Sequence, residues 1–170
     1  MCEPYTDIWH FATTVYRQPE VEPLCLQLQE EQGVNVTLLL WLLWIDSYFA
    51  KPPASLNAGH LIAEQWQHNI VTPLRTARRW MKRNLELNGD KARLREAIKS
   101  QELFAEKLLL SQLQSLVEHT PSHNRALTRV DQLQASADYL THLGMAAPAR
   151  ASTLKTLLLA IQAAHNKKPC

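Results

Sequence analysis

The feature that most constrains this chain is an apolar run at residues 36–45, Val-Thr-Leu-Leu-Leu-Trp-Leu-Leu-Trp-Ile, in which Thr37 is the one polar residue. A helix that is apolar on every side must be buried on every side, either in a protein core or in a membrane. A membrane span needs roughly 20 apolar residues, so this run is too short to be one. The sequence therefore predicts a buried central helix over residues 36–49 and no membrane span.

The remaining sequence favours helices throughout. The 170 residues include only four glycines, and three of them, Gly33, Gly89 and Gly144, stand where helical patterns of apolar residues end. These features predict an all-α, single-domain bundle of six to seven helices spanning residues 1–170. Within it we expect an aromatic-rich helical core over residues 1–118 and a C-terminal helical hairpin over residues 122–166. One helix of that hairpin is predicted from about residue 126 to Gly144.

Several helix boundaries follow from local chemistry. Asn35 is predicted to cap the central helix, and Thr6 to cap the first helix with Asp7 in its first turn. Pro73 is predicted to kink or briefly break a long helix, because proline has no backbone N–H to donate. Gly89 is predicted to close that helix, and the next one is expected over about residues 90–118.

The cysteines and the N-terminus bear on location. The three cysteines, Cys2, Cys25 and Cys170, are odd in number and widely spaced, so they form neither a metal-type pair nor a disulfide framework. The N-terminus lacks the basic and apolar regions of a secretory signal. We therefore expect a cytoplasmic protein, with Cys25 as a small core residue.

Charge is distributed unevenly along the chain. Residues 1–72 carry eight acidic and two basic side chains, whereas residues 73–170 carry eight acidic and sixteen basic ones. At about 100° per residue, five cations fall within an arc of roughly 140° on one helix. The next helix adds three more at i, i+4 and i+8. The eight residues of this basic face are Arg75, Arg78, Arg79, Lys82, Arg83, Lys91, Arg95 and Lys99.

The basic face, residues 73–99, allows two functional interpretations. The first is a non-enzymatic interaction or adaptor protein that binds an acidic protein partner. The second is a nucleic-acid or ribosome-associated protein using the same face. A third interpretation is purely structural: the face is solvated or pairs with the acidic N-terminal half. The opposite arc of the first helix is apolar and contains Leu74, Ala77, Trp80, Met81 and Leu85.

Signatures of catalysis are missing from the sequence. It has no Gly-x-Ser-x-Gly motif, no glycine-rich phosphate loop and no Cys–His signature, so we predict no catalytic residue and no cofactor. His60, Glu64 and His68 lie on one helical face, but i to i+8 spans about 12 Å, too far for all three to bind one metal ion. We predict no metal site.

A ligand pocket near residues 41–46 is the alternative to a pure interaction protein. Trp41 and Trp44 form an aromatic stripe, and Asp46 follows the apolar run directly. Such a pocket would suit a small helical enzyme or a ligand carrier. The alternative for the tryptophans is core packing, and for Asp46 the place where the helix leaves the core.

Several segments together resemble one family. They are residues 7–12 (Asp-Ile-Trp-His-Phe-Ala), 15–21, 25–29 and 33–40 with Trp44, and later residues 73–75 with Arg78 and Arg79. The chain resembles, over roughly residues 5–85, an uncharacterised family of small proteobacterial proteins that carry a domain of unknown function. The resemblance implies a bacterial cytoplasmic protein. It brings no established activity and therefore no catalytic residue.

Overall fold

The computed structural model describes residues 7–49, 53–117 and 127–166. These residues form eight α-helical segments and no strand, which confirms the predicted all-α fold. A π turn joins the fourth segment to the fifth without a break, so the segments make seven helices. The eight segments are α1 (Ile8–Tyr16), α2 (Val21–Glu31), α3 (Val36–Tyr48), α4 (Leu56–Trp66), α5 (Thr72–Asn84), α6 (Gly89–Ser115), α7 (Gln134–His142) and α8 (Ala147–Asn166).

The central helix α3 is enclosed on all sides. Every residue from Thr37 to Tyr48 is buried, and α1, α4, α6 and α7 pack around it. The side chain of Asn35 accepts a hydrogen bond of 3.1 Å from the backbone N–H of Leu38, which confirms the predicted cap. Burial of a helix that is apolar all round removes a large hydrophobic area from water. This confirms that the bundle is organised around the apolar run.

The first helix begins one residue later than predicted. Asp7 caps α1, accepting hydrogen bonds from the backbone N–H groups of Trp9 and His10, whereas we expected it inside the first turn. The predicted cap, Thr6, lies outside the described residues. The capping position and the first turn both suit an acidic or hydroxyl side chain, because the free N–H groups of a helix N-terminus need an acceptor there.

The segments α4 and α5 form one long helix with a single wide turn. The π turn Gln67–Val71 lies immediately before Pro73, and the N–H of Thr72 donates to the carbonyl of Gln67, five residues back. A π turn in a continuous helix thus takes the place of the kink or short break predicted at Pro73. The long helix lies antiparallel to α6, as three pairs along it show: Trp66 with Gln112, Arg75 with Glu106, and Arg78 with Glu102.

The turn between α5 and α6 differs from the prediction. Helix α5 ends at Asn84, and Gly89 begins α6 where we expected it to close the preceding helix. The backbone of Gly89 has a φ of 49°, a left-handed conformation that glycine adopts at little cost. Gly33 and Gly144 also have positive φ and follow the ends of α2 and α7, as predicted.

The C-terminal helices belong to the same core as α3. Leu133, Leu140, Leu157 and Ile161 are fully buried in one cluster with the central helix. The predicted continuous helix from about residue 126 to Gly144 is wrong: a 3₁₀ turn at Val130–Gln132 comes first, and α7 begins only at Gln134. Leu133, between them, has a non-helical ψ of 55°. Residues 118–126 lie outside the described part of the chain.

Gly59 allows the closest approach between α4 and α3. A Cβ atom at this position would overlap the six-membered ring of Trp41, whose side chain is fully buried. We expect Gly59→Ala to destabilise the protein by about 1–3 kcal/mol, although alanine in a helix interior normally gains up to about 1 kcal/mol over glycine. Urea unfolding measures the change. Gly59→Ala should lower the free energy of unfolding less in a Trp41→Leu background than in the wild type, because the overlapping ring is gone. An equal loss in both backgrounds would contradict the proposed overlap.

Candidate interaction surface

The eight cations of the predicted basic face do not share one surface. Arg75 and Arg78 point from α5 onto α6, where both bond the carboxylate of Glu102 at 2.7 Å. Arg75 also donates to Glu106 at 2.8 Å and to Gln29 of α2 at 2.6 Å. The side chains of Arg75 and Glu102 are only 13% and 8% exposed. These two arginines are thus part of the packing between α5 and α6.

The pKa values of the two carboxylates in this cluster are shifted in opposite directions. Burial alone would raise the pKa of Glu102, but hydrogen bonds from Arg78 and Arg75 outweigh it and hold that pKa below its usual value. Burial raises the pKa of Glu106, and the neighbouring Glu102 adds to the shift, although Arg75 opposes it. Glu102 is therefore the anionic centre on which both arginines converge.

Arg79 links α5 to the acidic N-terminal half. Its guanidinium lies 3.1 Å from a carboxylate oxygen of Glu30 on α2, with 40% of the Arg79 side chain exposed. This is the one ion pair among the described residues that joins a cation of the basic face to the acidic half of the sequence. An exposed pair of this kind contributes little to stability, about 0–1 kcal/mol. Within the described parts of the chain, ion pairing between the two halves is therefore limited to this contact.

The distal part of the α5–α6 pair projects from the bundle. None of the twenty residues from Lys82 to Gln101 is buried; we refer to residues 82–101 as the arm. It contains six basic and three acidic side chains. Arg95 and Lys99 pair with Glu96, and Arg93 pairs with Asp90. Within the described structure, the exposed cations Lys82, Arg83 and Lys91 form no ion pair.

Apolar side chains accompany these cations. Leu87 and Leu94 are exposed on the arm, and Trp80, just before it, is 53% exposed. The predicted apolar arc of α5 is thus divided: Met81 is buried, but Trp80 and Ala77 face solvent. Large aromatic side chains are costly to expose, and an exposed apolar patch rimmed by polar residues is typical of a binding surface.

Trp80 forms one end of an open groove of about 570 Å³ on the surface of α5 and the π turn. Its lining also includes His68, Pro73, Ala77 and Met81. A smaller, more polar groove of about 290 Å³ lies between α2 and α5 and includes Gln29 and Arg79. It shares Thr72 and Thr76 with the first groove.

The residues of the predicted ligand pocket lie inside the core. Trp41 and Trp44 are buried within α3, and Asp46 is 5% exposed. The carboxylate of Asp46 accepts hydrogen bonds from the N–H groups of Ala135 and Ser136, at 2.9 and 3.0 Å, and from the Ser136 hydroxyl at 2.7 Å. Asp46 thus caps α7 from another helix. Neither of the two grooves described above is lined by these three residues.

The histidine-containing face of α4 shows no ligand cluster. The ring of His60 packs edge-on against Tyr139, with centroids 5.6 Å apart, and burial lowers its pKa. The Tyr139 hydroxyl in turn accepts the backbone N–H of Asn35 at 2.9 Å. Among the described residues, no three His, Cys, Asp or Glu side chains are placed to hold one metal ion. His60 therefore contributes to packing between α4 and α7.

Comparisons with other proteins place the chain in a family without assigning it a function. No described helix is both long and apolar enough to cross a membrane. No curated protein and no solved structure matches the chain. Residues 7–113, more than half of the chain and all of α1 to α5 with most of α6, match the family described as "Protein of unknown function (DUF2390)". The helices α7 and α8 lie beyond this match. The chain therefore belongs to the DUF2390 family of proteins of unknown function.

Proposed function

We propose that this chain is a non-enzymatic interaction protein whose arm binds an acidic segment of a partner protein. The observation that carries the proposal is the contrast within the basic face. Arg75 and Arg78 are neutralised at the base of the arm, whereas Lys82, Arg83 and Lys91 remain exposed without an ion pair in the described structure. Unpaired cations on a projecting element attract an acidic surface and steer its approach.

A protein partner fits the arm better than a nucleic acid does. Glu86, Asp90 and Glu96 interrupt the cations, which weakens attraction to a continuous line of phosphates. Leu87 and Leu94 offer exposed aliphatic surface, which an acidic, partly apolar protein segment can cover. The alternative, nucleic-acid or ribosome binding, rests on Trp80 beside Arg79 and near Arg83, because an exposed aromatic ring between cations can stack on a base.

A small helical enzyme or ligand carrier at Trp41, Trp44 and Asp46 has less support. All three side chains are buried, and the Asp46 carboxylate is occupied by three hydrogen bonds from α7. The proposal includes a bacterial cytoplasmic location, which the odd number of cysteines and the burial of the free thiol of Cys25 support.

Charge reversal on the arm tests this function. We expect Arg83→Glu/Lys91→Glu to reduce recovery of the partner at least about tenfold in affinity purification from native cells, because two attractive contacts become repulsive. The matched control is Arg17→Glu/Lys155→Glu, which reverses one exposed arginine and one exposed lysine elsewhere. Both variants should keep the wild-type melting temperature, since exposed positions contribute little to stability.

The same purification discriminates between the interpretations. A protein that survives nuclease treatment, is lost at high salt and is lost from the arm variant alone supports the proposal. A partner that is lost on nuclease treatment would instead support the alternative, nucleic-acid or ribosome binding. Equal recovery by the arm variant and the wild-type chain would contradict any role for the arm.

A further inference from the structure

Trp80 lies on the side of α5 that faces away from α6. At about 100° per residue, Trp80 is roughly 160° around the helix from Arg78, which bonds Glu102 of α6. The open groove beside Trp80 therefore lies on a helix face that α6 does not cover. The exposed surface of the groove is almost entirely carbon, contributed by Pro73, Ala77, Trp80 and Met81.

The groove has the dimensions of a short peptide segment. The residues that line it extend from His68 to Met81 on one nearly continuous helix, which corresponds to roughly 20 Å of helix axis. Its volume of about 570 Å³ lies in the range of about 300–1,000 Å³ that is typical of ligand-binding pockets. Aromatic side chains of this kind, exposed in an apolar depression, commonly act as interface anchors.

The charges around the groove identify the chemistry of its occupant. Arg83 lies one turn beyond Trp80, on the edge of the groove, and forms no ion pair in the described structure. Arg79 precedes Trp80 but lines the smaller groove, where it pairs with Glu30 through an exposed contact. Arg83 therefore places a positive charge beside the groove, while the floor of the groove is apolar.

We propose that the groove is the anchor site for an amphipathic acidic segment of the partner protein. An apolar side chain of that segment packs against Trp80 and Ala77, and an adjacent carboxylate bonds Arg83. The inference rests on the proposed function and deepens it: the arm supplies long-range attraction, and the groove supplies the specific contact. A phosphate backbone would satisfy Arg83 but leave the apolar floor uncovered, and Arg83 would repel a basic segment.

Site-specific photocrosslinking in native cells tests the groove. A benzophenone amino acid is placed at Ala77 or at His68, two exposed residues that line this groove and not the smaller one. The control position is Leu159, which is exposed on α8. We expect a crosslinked peptide from groove positions only, with net negative charge and apolar residues at helical spacing. Adding Trp80→Ala should reduce the yield about 30-fold, the effect of a typical aromatic anchor, whereas Trp80→Phe should retain most of it.

The outcomes separate the two proposals. Crosslinking to a lipid, to nucleic acid, to a second copy of this chain or to a basic peptide would overturn the groove inference, as would a yield no greater than that from Leu159. An unchanged yield in Trp80→Ala would also overturn it. If Arg83→Glu/Lys91→Glu abolishes partner recovery while the groove positions crosslink nothing, the arm proposal stands and the groove inference fails. If neither experiment detects a dependence on these residues, both fail.

Discussion

Replacing Asp46 with alanine is expected to destabilise the protein by about 3–5 kcal/mol. The Asp46 carboxylate is the acceptor for three donors at the N-terminus of α7: the N–H groups of Ala135 and Ser136 and the Ser136 hydroxyl. Each buried donor left without an acceptor costs about 1–3 kcal/mol, and the residue that caps α7 locally, Leu133, has no side-chain acceptor. Thermal unfolding followed by circular dichroism should show a fall in melting temperature of roughly 10 °C.

Two milder variants grade this effect. Asp46→Asn keeps one carbonyl oxygen but turns an amide N–H₂ toward donors, so an intermediate loss is expected. Ser136→Ala removes one of the three donors together with its need for an acceptor, and should cost about 1 kcal/mol. A melting temperature for Asp46→Ala within 2 °C of the wild type would show that the contact between α3 and α7 does not depend on this carboxylate.

The pH dependence of Asp46 has a definite sign. Burial raises its pKa from 3.8 to about 6, although the hydrogen bonds from Ser136 and Ala135 lower it. Between these values the folded chain binds a proton more readily than the unfolded chain. The contribution of Asp46 to the free energy of unfolding therefore decreases as pH rises from about 4 to about 6. The stability difference between the wild type and Asp46→Asn should shrink over that interval, since asparagine does not titrate.

Asp46 also shows where sequence reasoning stops. Asn35 was predictable as a cap because its acceptor and the N–H it bonds are three residues apart. Asp46 bonds groups 89 and 90 residues away, so its local sequence shows only a polar residue after an apolar run. The false prediction for α7 has the same origin. Helical spacing continues through Val130 and Leu133, but the helix begins where Asp46 supplies an acceptor.

The buried position of α3 was predictable because its composition alone excludes any exposed face. The basic face was predictable as an arc on α5, since periodicity determines angles around one helix. The division of this face into arginines that pair with α6 and cations that stay exposed was not predictable, because periodicity does not identify the neighbouring helix. Glu102 lies 27 residues from Arg75, and it can bond Arg75 and Arg78 only because α5 and α6 lie antiparallel in the fold. Trp80 was assigned to an apolar arc, and it is exposed because no helix among the described residues covers its side of α5.

The ion-pair cluster at the base of the arm leads to the second large effect. We expect Glu102→Ala to destabilise the protein by about 3–4 kcal/mol, because it leaves Arg75 and Arg78 without their shared carboxylate at a site where that carboxylate is only 8% exposed. Breaking a buried pair from one side is strongly unfavourable, since the remaining charge is desolvated without compensation. Urea unfolding measures the loss. Glu96→Ala, on the same helix but 59% exposed, is the matched control and should change stability by less than about 1 kcal/mol.

Acid unfolding gives an independent test of the same cluster. The pKa of Glu102 is lower in the folded chain than its ordinary value of 4.5, so its stabilising contribution is present above about pH 4.5 and is lost as pH falls through the folded-state value. Glu102→Ala should therefore lose less stability than the wild type on acidification. Two results would contradict this role of Glu102. One is an equal loss of stability on acidification in Glu102→Ala and the wild type, and the other is a destabilisation by Glu102→Ala as small as that by Glu96→Ala. Either would mean that the packing of Arg75 and Arg78 does not depend on Glu102.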